Sequence, residues 1–211
     1  MLQTFILVLD WVGICVFAVS GALVASRKEM DIVGFALLGS VTGIGGGTIR
    51  DVVLGTDPVF WVRQPAYLVT CVAAAAITFF VAHIPQSRER LLLWFDAAGL
   101  SLFSVTGADS ALSAGASPTI AVAMGVATAT FGGIIRDILG GESPIILKQE
   151  IYITAALLGS TVFVSLEGLG FSRDAAAGTA FAAALALRSA ALHWNLSLPR
   201  YRSRTRPGNR T

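Results

Sequence analysis

Charge is what this sequence has least of. Asp, Glu, Lys and Arg make up 13% of its 211 residues, hydrophobic types 55%, and the mean hydropathy is +0.73. A water-soluble domain carries about 25% charged residues, so this chain cannot cover itself with polar surface. Cysteine is equally sparse. Cys15 and Cys71 both fall in apolar stretches, which excludes a disulfide framework and suits small buried hydrophobes. His83 and His193 sit near the ends of apolar segments and suggest no chemistry. There is no phosphate-binding Gly-x-x-x-x-Gly-Lys loop, no His-Glu-x-x-His and no cysteine pair at metal spacing. The sequence therefore predicts no enzyme, no cofactor and no metal site. The opening "MLQTFILVLDWVG" lacks a basic n-region and a cleavage pattern, and reads as a first helix of the mature protein.

Long uncharged runs are what the sequence does have. Gln64–Ser87 and Ser110–Ile135 contain no charged residue, and each exceeds the roughly 20 residues that a spanning helix needs. The fold class is an all-α membrane protein with seven transmembrane helices, near 3–26, 31–54, 60–82, 92–114, 118–140, 149–169 and 174–196. Residues 1–197 form a single transmembrane domain, and 198–211 a basic, disordered tail. Short loops leave no room for a soluble domain. Arg27, Lys28, Arg88, Arg90, Lys148 and the tail arginines fall on one side, with little more than Arg63 and Arg173 on the other. The bias of Lys and Arg toward the cytoplasm puts the N-terminus outside and the C-terminus inside a plasma (inner) membrane. Trp11, Trp61, Trp94 and Trp194 fall near span ends, as an aromatic belt requires. The tail arginines suit anionic lipid head groups rather than nucleic acid.

A shift of 86 residues aligns the chain with itself. Asp10 meets Asp96, Gly13 Gly99, Phe17 Phe103 and Gly21 Gly107; without a gap, Gly39 then meets Gly125, Thr42 Thr128 and Gly46 Gly132. The match ends with Arg50-Asp51 on Arg136-Asp137, Gly55 on Gly141 and Pro58 on Pro144. Each copy (about 3–84 and 89–170) holds three spans, an odd number, so the copies are expected in opposite orientations, as in transporters. The span at 174–196 stands outside the repeat.

Two features of each copy suggest function. Gly45, Gly46 and Gly47, and their counterparts Gly132 and Gly133, weaken their helices by about 1 kcal/mol each. They predict a break or sharp kink facing the bundle interior, with close packing of small residues as the other reading. Freed carbonyls there, with the hydroxyls of Thr42, Thr48 and Thr128, could replace part of an ion's water shell. The pairs Arg50-Asp51 and Arg136-Asp137 read as pore-lining charges, interfacial anchors or cross-repeat bridges from Arg50 to Asp137 and Arg136 to Asp51. Adjacent side chains diverge by about 100° on a helix, so the two are not expected to share a partner. Asp10 and Asp96 are intramembrane carboxylates, functional by default or caps near a helix end.

"GIGGGTIRDVVLG" at 43–55, "FGGIIRDILGG" at 131–141, the repeat and the unpaired last span together resemble the TRIC family, the trimeric intracellular cation channels, in its bacterial branch. Bacterial members of the same superfamily are also described as glycine transporters. The resemblance implies a homotrimer with a potassium-permeable pore in each protomer, lined by glycine-kinked second and fifth helices. Residues 5–195 carry it, with Phe131 standing where a third glycine would complete the second cluster. Lys28 and Lys148 are candidate lipid or gating contacts. Three functions are open at this stage: a passive K⁺-permeable channel, a secondary transporter of a small solute such as glycine, and a structural module packed through glycine.

Overall fold

The computed structural model describes residues 4–83, 87–147 and 151–197. Lys148 and the tail at 198–211 lie outside the described residues. These contain eight α-helices: α1 (Thr4–Arg27), α2 (Ile32–Leu54), α3 (Phe60–Arg63), α4 (Ala66–Val81), α5 (Arg88–Ser113), α6 (Pro118–Leu139), α7 (Ile153–Gly168) and α8 (Arg173–Trp194). A 3-10 turn, Ile145–Leu147, precedes α7. Helices α1, α2, α5, α6 and α8 are long and apolar enough to cross a membrane; α4 and α7 are apolar but shorter. The span expected at 60–82 is two helices. Pro65 has no amide to give to a helix, and the residue before a proline is pushed out of the α region; Gln64 accordingly sits at φ −132°, ψ 85°.

Polar residues at the ends set the helix boundaries. The Asp31 carboxylate accepts from the Gly34 amide at 2.8 Å and caps α2. Asp31→Ala should cost about 1 kcal/mol, read as a small drop in melting temperature of the detergent-solubilised protein. The ends of α2 and α6 repeat each other. Gly55 (φ 68°) and Gly141 (φ 65°) turn left-handed, and the next amides, of Thr56 and Glu142, donate to the Asp51 and Asp137 carbonyls at 2.8 Å each. Only glycine enters that region without a steric cost.

Helices α1, α2, α5 and α6 form the centre, with α4 against α1 and α2, and α7 and α8 against α5. The contacts recur at positions 86 apart. Gly13 lies against the Phe103 ring and Gly99 against the Phe17 ring, and the two rings meet edge to face at 5.0 Å. Gly46 lies against the Thr128 carbonyl, and Gly132 against that of Thr42. Helices α2 and α6 are thus clasped backbone to backbone.

Of the predicted break or kink, a break is not there. Both helices run uninterrupted through Gly45–Gly47 and Gly132–Gly133, and the close packing is what needs Gly46 and Gly132. Nor do the threonines reach out: Thr42, Thr48 and Thr128 donate to the Leu38, Ile44 and Met124 carbonyls at 2.6–2.7 Å. Large apolar side chains such as Val33, Val52, Val69, Ile77 and Phe80 point outward, where lipid rather than water is the natural solvent.

Candidate functional site

Two buried charge clusters face the centre, one built around Arg136 and one around Arg50. In the first, Arg136 Nη1 bonds Asp96 Oδ1 at 2.7 Å and Ser20 Oγ at 2.8 Å, while its Nε donates to Asp137 Oδ1 at 2.8 Å. Arg136, Asp96 and Ser20 are fully buried and Asp137 is 3% exposed. The Tyr152 hydroxyl reaches the same Asp96 oxygen at 3.5 Å. Asp137 Oδ2 accepts from the Ile145 amide at 2.9 Å, which pins the connection after α6. From the unrepeated helix, Arg188 places its guanidinium 5.2 Å from the Tyr152 ring centre.

The second cluster uses corresponding residues in a looser arrangement. Arg50 Nε donates to Asp51 Oδ1 at 2.8 Å, and Asp51 Oδ2 accepts from the Phe60 amide at 2.8 Å. The Arg50 guanidinium lies 5.6 Å from the Phe60 ring centre. Asp10 faces Arg50, Tyr67 and Thr106, but among the described residues the ion pair of Arg50 is with Asp51. Two cavities border the cluster. One of about 350 Å³ is lined by Asp10, Thr106, Asp109 and Arg173 among others, the other of about 410 Å³ by Arg50, Asp51, Phe60 and Arg63. Both touch Ser110 and Ser113, so they adjoin. At the rim, Arg173 Nε bonds Glu167 Oε1 at 2.9 Å and lies 3.5 Å from Asp109 Oδ1.

The expected cross-repeat bridges are not made: Arg50 pairs with Asp51, and Arg136 with Asp96 and Asp137. Each arginine turns back onto its own neighbour, a contact the sequence reading did not consider; an arginine side chain is long enough to reverse its direction. Asp96 is no helix cap, being fully buried against Arg136. Asp10 is half-buried at a cavity wall. Lys28 lies at the polar end, 3.8 Å from Glu142, which also pairs with Arg27 at 3.2 Å.

The sequence reading missed several participants. Ser20 and Thr106 do correspond at 86 residues, but a serine–threonine match carries little signal in so small-residue-rich a chain. Tyr67 and Tyr152, which attend Asp10 and Asp96, stand 85 residues apart, as do Phe60 and Ile145. One residue fewer follows Pro144 than follows Pro58, and that slip hid them from an ungapped comparison.

The sequence profile of a family described as "Glycine transporter" matches residues 7–83 and 93–167. The UPF0126 inner membrane protein YadS of Escherichia coli is 42% identical over 92% of this chain and 94% of its own. A UPF0126 membrane protein of Vibrio cholerae is 41% identical over 92% and 81%. Among solved structures, the TRIC trimeric intracellular cation channel orthologue from Rhodobacter sphaeroides superposes with a TM-score of 0.90 at 66% identity, over 92% of this chain and 100% of that one. A prokaryotic TRIC channel solved in 0.5 M KCl superposes at 0.85 and 32% identity, over 93% and 100%. These solved relatives are ion channels, not enzymes. A family profile spanning more than half of the residues, and relatives of this identity along nearly the whole length, show that the chain belongs to the family of the trimeric intracellular cation channels.

Proposed function

We propose that the chain is a potassium-permeable monovalent cation channel, with one pore in each protomer of a homotrimer in the bacterial inner membrane. One observation carries the reading: two adjoining polar cavities, one walled by Asp10 and the other by Arg50, open within a single protomer. Carboxylates at a low-dielectric entrance concentrate cations, and Asp10 and Asp109 stand there. The recurring contacts favour two inverted three-helix repeats, α1–α4 and α5–α7, with α8 added. The first begins outside the cell and the tail ends in the cytoplasm. Gly45, Gly46 and Gly132 keep α2 and α6 close enough to border the pore from both halves, against the Thr42 and Thr128 backbones, while Gly47 and Gly133 make room for Phe60 and Tyr152. Trimer mates and membrane lipid cover the exposed apolar faces, and Lys28 and Lys148 meet lipid head groups.

Purified protein in planar bilayers under a KCl gradient should give unitary currents that reverse near the potassium potential. Smooth, saturable uptake of a solute with no unitary current would instead establish the second reading, a transporter of a small solute such as glycine. The unequal state of the two clusters is what favours that alternative, because alternating access also closes one half at a time.

A further inference from the structure

One charge cluster lies outside the repeat. Asp109, near the end of α5, stands where the first copy has the buried Leu23, and Arg173 comes from α8, which has no counterpart. At the end of the molecule where α1 begins, Arg173 Nε bonds Glu167 Oε1 of α7 at 2.9 Å and lies 3.5 Å from Asp109 Oδ1. Three helices thus meet at one guanidinium. The charges that face Asp109 are Arg173, Glu167, Asp10 and Arg50. Arg173 also lines the cavity of about 350 Å³, together with Asp10, Asp109, Ser110 and Ser113. Its place is electrostatically awkward. Arg173 is the first residue of α8, where the helix dipole presents its positive end. The acidic residue favoured there is its neighbour, Asp174.

We infer that Arg173 is the resident counter-charge of this cavity, setting how strongly Asp10 and Asp109 attract cations, and so a specificity-determining residue at its mouth. Two carboxylates in a confined, low-dielectric space attract cations strongly. Throughput also needs binding weak enough for the ion to leave again. A guanidinium fixed at the rim lowers the attraction, and an arginine keeps its charge at every physiological pH. The closer bond to Glu167 leaves Asp109 Oδ1 buried with no hydrogen bond among the described residues. That oxygen is compensated through space rather than capped, so it still faces an incoming cation. The competing role is a staple: the bond from Arg173 to Glu167 spans the turn between α7 and α8. Exposed pairs of that kind stabilise little, and Arg173 is 41% exposed.

Ion throughput rests on the channel reading; the attraction itself is measurable without a current. Ser113, exposed and lining both outer cavities, is replaced by Cys in a Cys15→Ala, Cys71→Ala background. Its labelling rate is measured with two membrane-impermeant methanethiosulfonates of similar size, one cationic and one anionic. The ratio of the two rates reports the local potential. Arg173→Gln should raise the cation-to-anion ratio by about threefold or more at low salt, because losing one charge speeds one reagent and slows the other. The difference should shrink in about 1 M KCl. Arg173→Lys should keep the original ratio, and Arg90→Gln, at the other end of α5, should leave it unmoved. An unchanged ratio in Arg173→Gln, or the same change in Arg173→Lys, overturns the inference; a lower melting temperature with an unchanged ratio makes Arg173 a staple. In planar bilayers Arg173→Gln should raise the potassium conductance at low salt by about twofold and match the parent protein at high salt. A raised ratio with an unchanged conductance overturns this cavity as the entrance for ions. A raised ratio in a protein without unitary currents keeps the role of Arg173 and discards the channel.

Discussion

Arg136→Met should be the most damaging single substitution in the chain, lowering stability by about 3–5 kcal/mol, the usual cost of leaving a buried charge without its partner. Asp96 and Asp137, 0% and 3% exposed, would both lose their counter-charge, and Ser20 its partner. Arg50→Met should cost clearly less, because Asp51 and Asp10 border cavities from which water can reach them. Melting of the detergent-solubilised protein, compared across the two variants, checks the order. The double variant Arg136→Met, Asp96→Leu should recover part of the loss, since removing both partners of a buried pair costs little. Equal melting temperatures for Arg50→Met and Arg136→Met would contradict the asymmetry of the two clusters.

Gly46→Ala should destabilise the protein by about 1–3 kcal/mol, in the range of core overpacking, and Gly132→Ala by a similar amount. The sign is informative. A helix interior gains about 1 kcal/mol when alanine replaces glycine, so a glycine kept only to weaken α2 would make the substitution stabilising. Here the added carbon lands on the Thr128 carbonyl, or on the Thr42 carbonyl for Gly132. A backbone carbonyl in a helix cannot swing aside as a side chain does, so α2 and α6 must separate. Gly55→Ala is the contrasting control. Nothing lies within 4 Å of its added carbon and φ is 68°, so it should cost only the strain of a left-handed backbone, about 1–2 kcal/mol. Chemical denaturation of the three variants in one detergent separates packing from conformational strain. A rise in stability for Gly46→Ala would restore the helix-break reading.

The membrane class and the self-match at 86 residues were legible in the sequence because they depend on composition and spacing alone. Too little charge forces the chain into lipid, and an arginine, an aspartate and a proline returning at one interval are improbable without a shared ancestor. The recurrence was also enough to mark Asp10, Asp96 and both arginine–aspartate pairs. Which contacts those residues make was not legible. A linear sequence gives the angle at which an arginine leaves its helix but not where a long, flexible chain ends, so the bond from Arg50 to Asp51 was not foreseen. The glycines show the same limit from the other side. Their low helix propensity is a local quantity and predicted a break or kink; the carbonyls that Gly46 and Gly132 face belong to Thr128 and Thr42, in the other repeat and far away along the chain. What the sequence determined by itself was thus a pair of equivalent halves. That one half is shut on Asp96 and Ser20 and the other open toward Asp10 and Thr106 was decided only by the tertiary structure. Two copies of one sequence pattern can occupy different minima when the cavity beside them differs.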